Sequence, residues 1–178
     1  MEGKFFLPPA KLAEEAESCF RQSGRRHFLI TGSRGAGKTT LFRILAQARG
    51  CGGVVTYATR TEDGLAERVI LESLLDPTCR TVAARRSGTE GLTVVPEGFS
   101  GLGVRLLSDG LAAPGEWIAV DEIGFLETQV PIYLEILRKC FSQRRMLAVL
   151  RKQELPFLLE LRENPDCFVL DLDLLSQE

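Results

Sequence analysis

The sequence predicts an α/β fold in which helices cover both faces of a mostly parallel sheet. Short apolar segments that favour strands, such as "RHFLIT", "WIAV", "MLAVL" and "CFVLDL", alternate with amphipathic segments that favour helices. This alternation is typical of parallel sheets, because each return to the same edge of the sheet needs a crossover connection. The glycine-rich segment "GSRGAGKT", placed between a strand and a helix, is typical of the same fold class.

The first part of the chain contains an N-terminal helical extension, residues 1–26, followed by the first strand. Apolar residues at helical spacing predict a helix from Lys11 to Ser23, with Leu12, Ala16 and Phe20 on one face. "RHFLIT" then predicts a short buried strand, and the periodic pattern after the glycines predicts a helix from Lys38 to Arg49. "GGVVTYATR" is rich in β-branched residues and predicts the next strand.

The second part begins with a β-rich insert, residues 61–99, which we expect at one edge of the sheet. Its short apolar stretches are separated by Asp-Pro, Ser-Gly and Pro-Glu-Gly breaks, as in hairpins. A helix is predicted from Ser100 to Ala113, and "WIAV", "MLAVL" and "CFVLDL" predict three more strands. The helices between them are predicted in "PIYLEILRKCFSQ" and "LPFLLELRE". The whole chain, residues 1–178, is therefore predicted to form a single domain.

Composition excludes several classes of function. A net charge of −2 gives no field that attracts nucleic acid or an anionic membrane. No apolar run approaches the length of a transmembrane helix, and the N-terminus lacks the apolar core of a signal peptide, so we expect a cytoplasmic protein. The five cysteines form no C-x-x-C pair. His27 is the only histidine, which excludes metal sites built from several histidines, and we expect it to be structural.

The segment "GSRGAGKT" matches G-x-x-x-x-G-K-[ST], the pattern of a phosphate-binding loop. Glycines let the backbone turn its N–H groups inward toward an anion, and the following helix directs its N-terminal dipole at the same point. Lys38 offers a cation to the β- and γ-phosphates, and the Thr39 hydroxyl is a hard oxygen ligand for Mg²⁺. The predicted nucleotide-binding residues are Gly32, Ser33, Arg34, Gly35, Ala36, Gly37, Lys38, Thr39 and Thr40.

A phosphate loop needs acidic residues nearby for metal binding and hydrolysis, and Asp121 and Glu122 are predicted to supply them. In "WIAVDEIG", four mostly apolar residues carry Asp121 to the end of a predicted strand. Asp121 is predicted to hold Mg²⁺ together with Thr39, while Glu122 orients or deprotonates an attacking water. Both side chains are expected at the site because the chain turns beyond the strand end. Arg60 and Arg151 follow strands and are candidates, with Lys38 and Glu122, for the catalytic set.

The order and spacing of "FLITGSRGAGKTTL", "GGVVTYATR", "WIAVDEIGFLE" and "MLAVLRKQELPFLLELRENPDCFVLDL" resemble the THEP1-type nucleoside-triphosphatases, which are small P-loop proteins. In these proteins the acidic segment that follows the phosphate loop typically reads D-E-I-G, and a glutamate comes shortly after it. That glutamate is Glu127 here. The resemblance covers His27 to Asp171. It implies a RecA-like core with one strand inserted between the phosphate-loop strand and the strand of Asp121. It also implies slow, Mg²⁺-dependent hydrolysis of ATP, GTP and other nucleoside triphosphates with little base selectivity.

The chain departs from the family pattern at both ends. Residues 1–26 precede the usual start of the family at the phosphate-loop strand. The asparagine-arginine pair that usually follows the last strand is missing, and "DLDLLSQE" stands there instead. The aromatic residues Trp117, Phe125 and Phe157 are expected in the core rather than against a base.

Three functions remain open from the sequence. The first is hydrolysis of nucleoside triphosphates. The second is transfer of the γ-phosphoryl group to a nucleotide or nucleoside, which needs an acceptor pocket. The third is a nucleotide-gated binding protein in which slow hydrolysis only resets a conformation. The sequence identifies no protein partner.

Overall fold

The computed structural model describes residues 8–88 and 91–175, so residues 1–7 of the predicted extension and 89–90 of the predicted insert lie outside the described residues. Within the described residues, eight strands form one sheet in the order β5-β4-β3-β2-β6-β7-β1-β8. The strands are β1 (His27–Thr31), β2 (Gly52–Arg60), β3 (Ala66–Ser73), β4 (Arg80–Arg86), β5 (Leu92–Val94), β6 (Trp117–Ile123), β7 (Arg145–Leu150) and β8 (Cys167–Asp171).

Helices cover both faces of this sheet, as the alternation of the sequence predicts. They are α1 (Pro9–Ser23), α2 (Lys38–Arg49), α3 (Val104–Ala112), α4 (Phe125–Thr128), α5 (Pro131–Gln143) and α6 (Pro156–Glu163). Helices α1 and α2 pack on one face, where Phe20 and Phe42 are buried against Phe28 of β1. Helices α3, α5 and α6 bury a second apolar layer on the other face.

Strands β2, β6, β7, β1 and β8 pair in parallel, and the remaining three strands extend the sheet in antiparallel pairs. The β-rich segment at one edge of the sheet is therefore present. Strand β7 lies between β1 and β6, as the resemblance implies for a RecA-like core. The carboxyl ends of β1, β6 and β7 thus meet at one edge of the sheet, where ligands of open α/β sheets bind.

Several element boundaries differ from the sequence-based expectations. Helix α1 begins two residues earlier than predicted, because Pro9 is tolerated in its first turn. The predicted helix from Ser100 is a π-helical turn, Gly98–Gly103, that continues into α3. The short helix α4 has no sequence prediction. Among the described residues, none of the helices is both long enough and apolar enough to cross a bilayer.

Candidate active site

The phosphate-binding loop connects β1 to α2 at the carboxyl edge of the sheet. Gly35 and Gly37 have φ values of 81° and 93°, which residues with a side chain rarely adopt, so the loop needs glycine at both positions. Helix α2 begins at Lys38, directly after Gly37. The unpaired N–H groups of its first turn and its dipole therefore face the space enclosed by the loop.

Lys38 lies folded over the loop that precedes it. Its Nζ donates to the carbonyl oxygens of Gly32 at 3.0 Å and Ser33 at 2.7 Å. The Ala36 N–H donates to the same Ser33 carbonyl at 3.3 Å. An anion that enters the loop therefore has to compete with these loop carbonyl groups for the Lys38 ammonium group.

Asp121 is buried beneath the loop, at 3% exposure. Burial raises its pKa to about 6, and the hydrogen bond from the Thr39 hydroxyl opposes that rise. The Glu122 charge raises the pKa of Asp121 further, while Arg43 and Lys38 lower it. A bound cation next to Asp121 would favour its charged form, because an opposite charge stabilises a carboxylate.

Glu122 reaches the site through a β-bulge, and the structure corrects the expectation that the strand ends before it. Strand β6 continues to Ile123, so Asp121 and Glu122 are both strand residues. Asp121 pairs with Val149 of β7, and Ile123 pairs with Leu150. Two steps along β6 therefore correspond to one step along β7, and Glu122 is the extra residue. A bulge of this kind re-aims the extra side chain, and Glu122 here lines the cavity in front of the loop.

Three consecutive residues after β7 each contact a different part of the site. The Arg151 Nε–H group donates to a Glu122 carboxylate oxygen. Lys152 Nζ forms ion pairs with the carboxylates of Asp171, the last residue of β8, and Asp173, two residues beyond it. The Gln153 side-chain oxygen accepts from the Phe125 N–H at 2.9 Å. This segment, residues 151–153, therefore ties β6, the end of β8 and α4 together.

Glu127 is a second buried acid next to the site, at 4% exposure. Its Oε2 accepts from the Gly124 N–H at 2.9 Å and so closes the first turn of α4. Burial raises the pKa of Glu127 to about 7, and the charge of Glu122 acts in the same direction. The glutamate that completes the D-E-I-G-x-x-E pattern thus caps a helix at the side of the cavity.

The loop, Glu122 and Arg151 share one cavity of about 1000 Å³. Eight of the nine predicted nucleotide-binding residues line it, including Thr40, and Ala36 instead packs its side chain toward the α1–α2 core. Arg60 lines the far side and donates to the Gly64 carbonyl oxygen at 2.8 Å. Arg34 lines the cavity from within the loop.

The cavity is also lined by residues that the sequence analysis did not assign to the site. Phe125 is 52% exposed and lines the cavity, so the expectation that it packs in the core is wrong, whereas Phe157 is buried as expected. Phe125 lies outside the core because α4 begins at that residue, directly after the strand. Lys152 and Gln153 follow Arg151 immediately, so the position at a strand end that singled out Arg151 could have indicated both.

The donor set at Thr39 and Asp121 fits Mg²⁺. Within residues 8–88 and 91–175, no group of three or more His, Cys, Asp or Glu side chains could hold a metal ion by itself. Mg²⁺ at nucleotide sites needs only one or two protein oxygens, because water and phosphate oxygens complete its octahedron. The hydrogen-bonded Thr39 hydroxyl and Asp121 carboxylate are hard oxygen ligands of this kind.

Comparison with known proteins agrees with this geometry. A search of curated protein sequences found no match to the chain. A family model described as NTPase matches residues 27–177, which begin at β1 and leave α1 outside the match. The matched region carries the phosphate loop, both acids of β6 and the segment after β7. The chain therefore belongs to the THEP1-type NTPase family, and the protein is a P-loop nucleoside-triphosphatase.

Proposed function

We propose that the protein hydrolyses ATP, GTP and other nucleoside 5′-triphosphates to the diphosphate and phosphate, in a Mg²⁺-dependent reaction with low base selectivity. The observation that supports the proposal is that Lys38 and Glu122 line the same cavity. Lys38 and the start of α2 offer positive charge to the phosphates. Glu122 would orient or deprotonate the attacking water.

Mg²⁺ would bind to Thr39 and Asp121, and when bound it supplies charge that stabilises the transferring phosphoryl group. The Glu122 carboxylate accepts a proton from the attacking water, whose oxygen forms a bond to the γ-phosphorus. The bond from that phosphorus to the bridging oxygen breaks, and the nucleoside diphosphate leaves. Arg151, which contacts Glu122, and Lys38 offset the negative charge that develops on the γ-phosphoryl oxygens.

Paired variants of the two acids test this division of roles. Glu122→Gln keeps the size of the side chain and removes its charge, so we expect triphosphate to bind while single-turnover hydrolysis falls by about 10²–10⁴-fold. Asp121→Asn should instead weaken the dependence on Mg²⁺. Near-normal turnover in Glu122→Gln would refute the role of Glu122 and make Glu127 the next candidate for the base.

Low base selectivity is supported by the chemistry of the cavity wall. Away from the loop and the acids, much of the lining is apolar, including Ala58, Val69, Leu92 and Leu126. Apolar side chains contact all nucleobases and do not read their hydrogen-bonding edges. We expect ATP, GTP, CTP and UTP to be hydrolysed at comparable rates. A preference above roughly a thousandfold, about 4 kcal/mol, would show that a base-reading pocket exists.

A second candidate, transfer of the γ-phosphoryl group to an acceptor hydroxyl, is favoured by the shape of the cavity. Strand β2 pairs with β6 only as far as Val55↔Asp121 and then continues to Arg60, five residues or about 16 Å further. This overhang and β3 form a wall beside Glu122, to which β2 contributes Thr56, Tyr57, Ala58 and Arg60 and β3 contributes Ala66 and Val69. Product analysis with each triphosphate, with and without nucleosides and nucleoside monophosphates, distinguishes hydrolysis from phosphoryl transfer. A phosphorylated product that forms only when an acceptor is present would show that transfer, rather than hydrolysis, is the main function.

A further inference from the structure

The carboxylate of Asp173 holds the second residue of the phosphate loop. Beyond β8 the chain stays beside the end of β1, where the Leu172 N–H donates to the Thr31 carbonyl oxygen at 3.0 Å. Asp173 then accepts from the Ser33 N–H at 2.8 Å through Oδ2 and at 3.0 Å through Oδ1. Its Oδ1 also accepts from the Ser33 hydroxyl at 2.8 Å. Ser33 and Asp173 are 140 residues apart in the chain, so this contact joins the loop to the end of the fold.

The start of the loop packs tightly against Leu172 and Asp173, the two residues that follow β8. A side chain at Gly32 would place its Cβ 3.3 Å from the Leu172 Cβ and 3.5 Å from Asp173 Oδ1. The carbonyl oxygen of Ser33 is in turn the acceptor for Lys38 Nζ, at 2.7 Å. The N–H and hydroxyl groups of Ser33 thus donate to Asp173, and the Ser33 carbonyl oxygen accepts from Lys38. Displacing Asp173 would therefore also displace a group that Lys38 contacts.

A carboxylate at this place is unfavourable for an anion site unless its charge is cancelled. A negative charge beside the loop repels a triphosphate, because like charges repel one another. Lys152 supplies the cancelling charge, with its Nζ 2.6 Å from Asp173 Oδ2 and 2.8 Å from Asp171 Oδ2. Lys152 and the hydrogen bonds from Ser33 hold the pKa of Asp173 well below its usual range. Asp173 therefore stays ionised and keeps its hydrogen bonds.

We propose that Asp173 is a positioning residue for the phosphate loop, and that Lys152 acts by neutralising Asp173 rather than by binding nucleotide itself. The inference rests on the proposed function, because it concerns the loop that would hold the triphosphate. It assigns a role to Asp173, which lies two residues beyond the end of β8 and next to the phosphate loop. The residues after β8 thus anchor the loop through Asp173, and Lys152 cancels the charge of that carboxylate.

Lys152 also lines the cavity, so direct binding of phosphate by its ammonium group is the competing explanation. The two explanations differ in the effect of removing both charges. If Lys152 acts by neutralising Asp173, Lys152→Met leaves the carboxylates of Asp171 and Asp173 uncancelled, and removal of the Asp173 charge, which is the one beside the loop, repairs most of the damage. If Lys152 binds phosphate, its loss cannot be repaired by a change at Asp173.

The test is a four-protein cycle of wild type, Lys152→Met, Asp173→Asn and the double variant, with affinity for a non-hydrolysable ATP analogue and Mg²⁺ measured by calorimetry. We expect Lys152→Met to weaken binding by about tenfold. Asp173→Asn should bind nearly as well as wild type, because its amide oxygen still accepts from Ser33. The double variant should bind within about threefold of Asp173→Asn. The matched control is the exposed ion pair of Arg138 and Glu160, whose Met and Gln variants should change nothing.

Hydrogen exchange of the Ser33 amide supplies a readout that a general loss of stability would not give. In Asp173→Ala the hydrogen bonds from the Ser33 N–H and from the Ser33 hydroxyl are lost, so the Ser33 amide should exchange faster while amides of β1 keep their protection. A double variant that binds as weakly as Lys152→Met, or a Ser33 amide that exchanges as in wild type, would overturn the proposal. Wild-type protein that binds the analogue but hydrolyses no triphosphate would refute the proposed function and leave this inference standing. Wild-type protein that binds no nucleotide would refute both.

Discussion

Phe20 attaches helix α1 to the rest of the protein, and its truncation tests whether the extension is part of the folded unit. The side chain is 3% exposed, and its ring centroid lies 5.0 Å from that of Phe28 and 5.8 Å from those of Trp117 and Phe168. Phe20→Ala removes all three ring contacts and leaves a cavity. We expect the free energy of unfolding to fall by about 3–5 kcal/mol, the range for emptying a buried aromatic position. That is a large part of the 5–15 kcal/mol by which domains are typically stable.

Urea denaturation followed by tryptophan fluorescence measures this loss directly, because Trp117 is the only tryptophan and contacts Phe20. Phe20→Leu keeps most of the apolar volume and should cost clearly less. Glu14→Ala, on the exposed side of α1, should stay within about 0.5 kcal/mol of wild type. If Phe20→Ala costs less than about 1 kcal/mol, α1 is not part of the cooperative unit and the single-domain prediction fails.

Three further predictions concern charge. Lys38→Ala removes the cation of the phosphate loop, so calorimetry should show weaker triphosphate binding, and hydrolysis should fall with it. Burial lowers the pKa of His27 from 6.5 to about 4, so wild type should lose about 3 kcal/mol of stability relative to His27→Asn as pH falls through this window. Burial raises the pKa of Glu127 from 4.5 to about 7, so wild type should lose about 3 kcal/mol relative to Glu127→Gln as pH rises through that window.

The titrations of His27 and Glu127 change the stability in opposite directions as pH rises. The effect of each residue is therefore obtained as the difference in stability between wild type and the variant at that residue, measured across the pH range. Asparagine at position 27 retains an acceptor for the Met146 N–H, which His27 Nδ1 binds at 3.2 Å. A pH-independent difference for either variant would show that the group titrates alike in the folded and unfolded states. Unchanged triphosphate affinity and hydrolysis in Lys38→Ala would contradict the loop assignment.

The parts of the fold that depend on local pattern could be predicted from the sequence. Helix α2 and strand β2 have the bounds that the periodicity predicts, since burial of one face fixes the apolar spacing of each element. The phosphate loop was predictable because its glycines and Lys38 are adjacent in the chain. The location of Asp121 followed from the apolar strand that precedes it.

Features that depend on pairing between distant segments could not be predicted. The bulge at Glu122 exists only in the register between β6 and β7. The contact of Ser33 with Asp173 crosses 140 residues, and nothing in either local sequence indicates the other. The exposure of Phe125 depends on α4, which is too short to produce a periodic pattern.

The segment of residues 151–153 connects the site to helix α6. Its three side chains share a piece of backbone only about 8 Å long, so none of them can shift far without the others. This backbone is itself fastened to α6, because Arg162 of that helix donates to the Arg151 carbonyl oxygen at 2.8 Å. The contacts of this segment with Glu122, Asp173 and Phe125 of α4 therefore depend on the position of α6, a helix that lines no part of the nucleotide cavity.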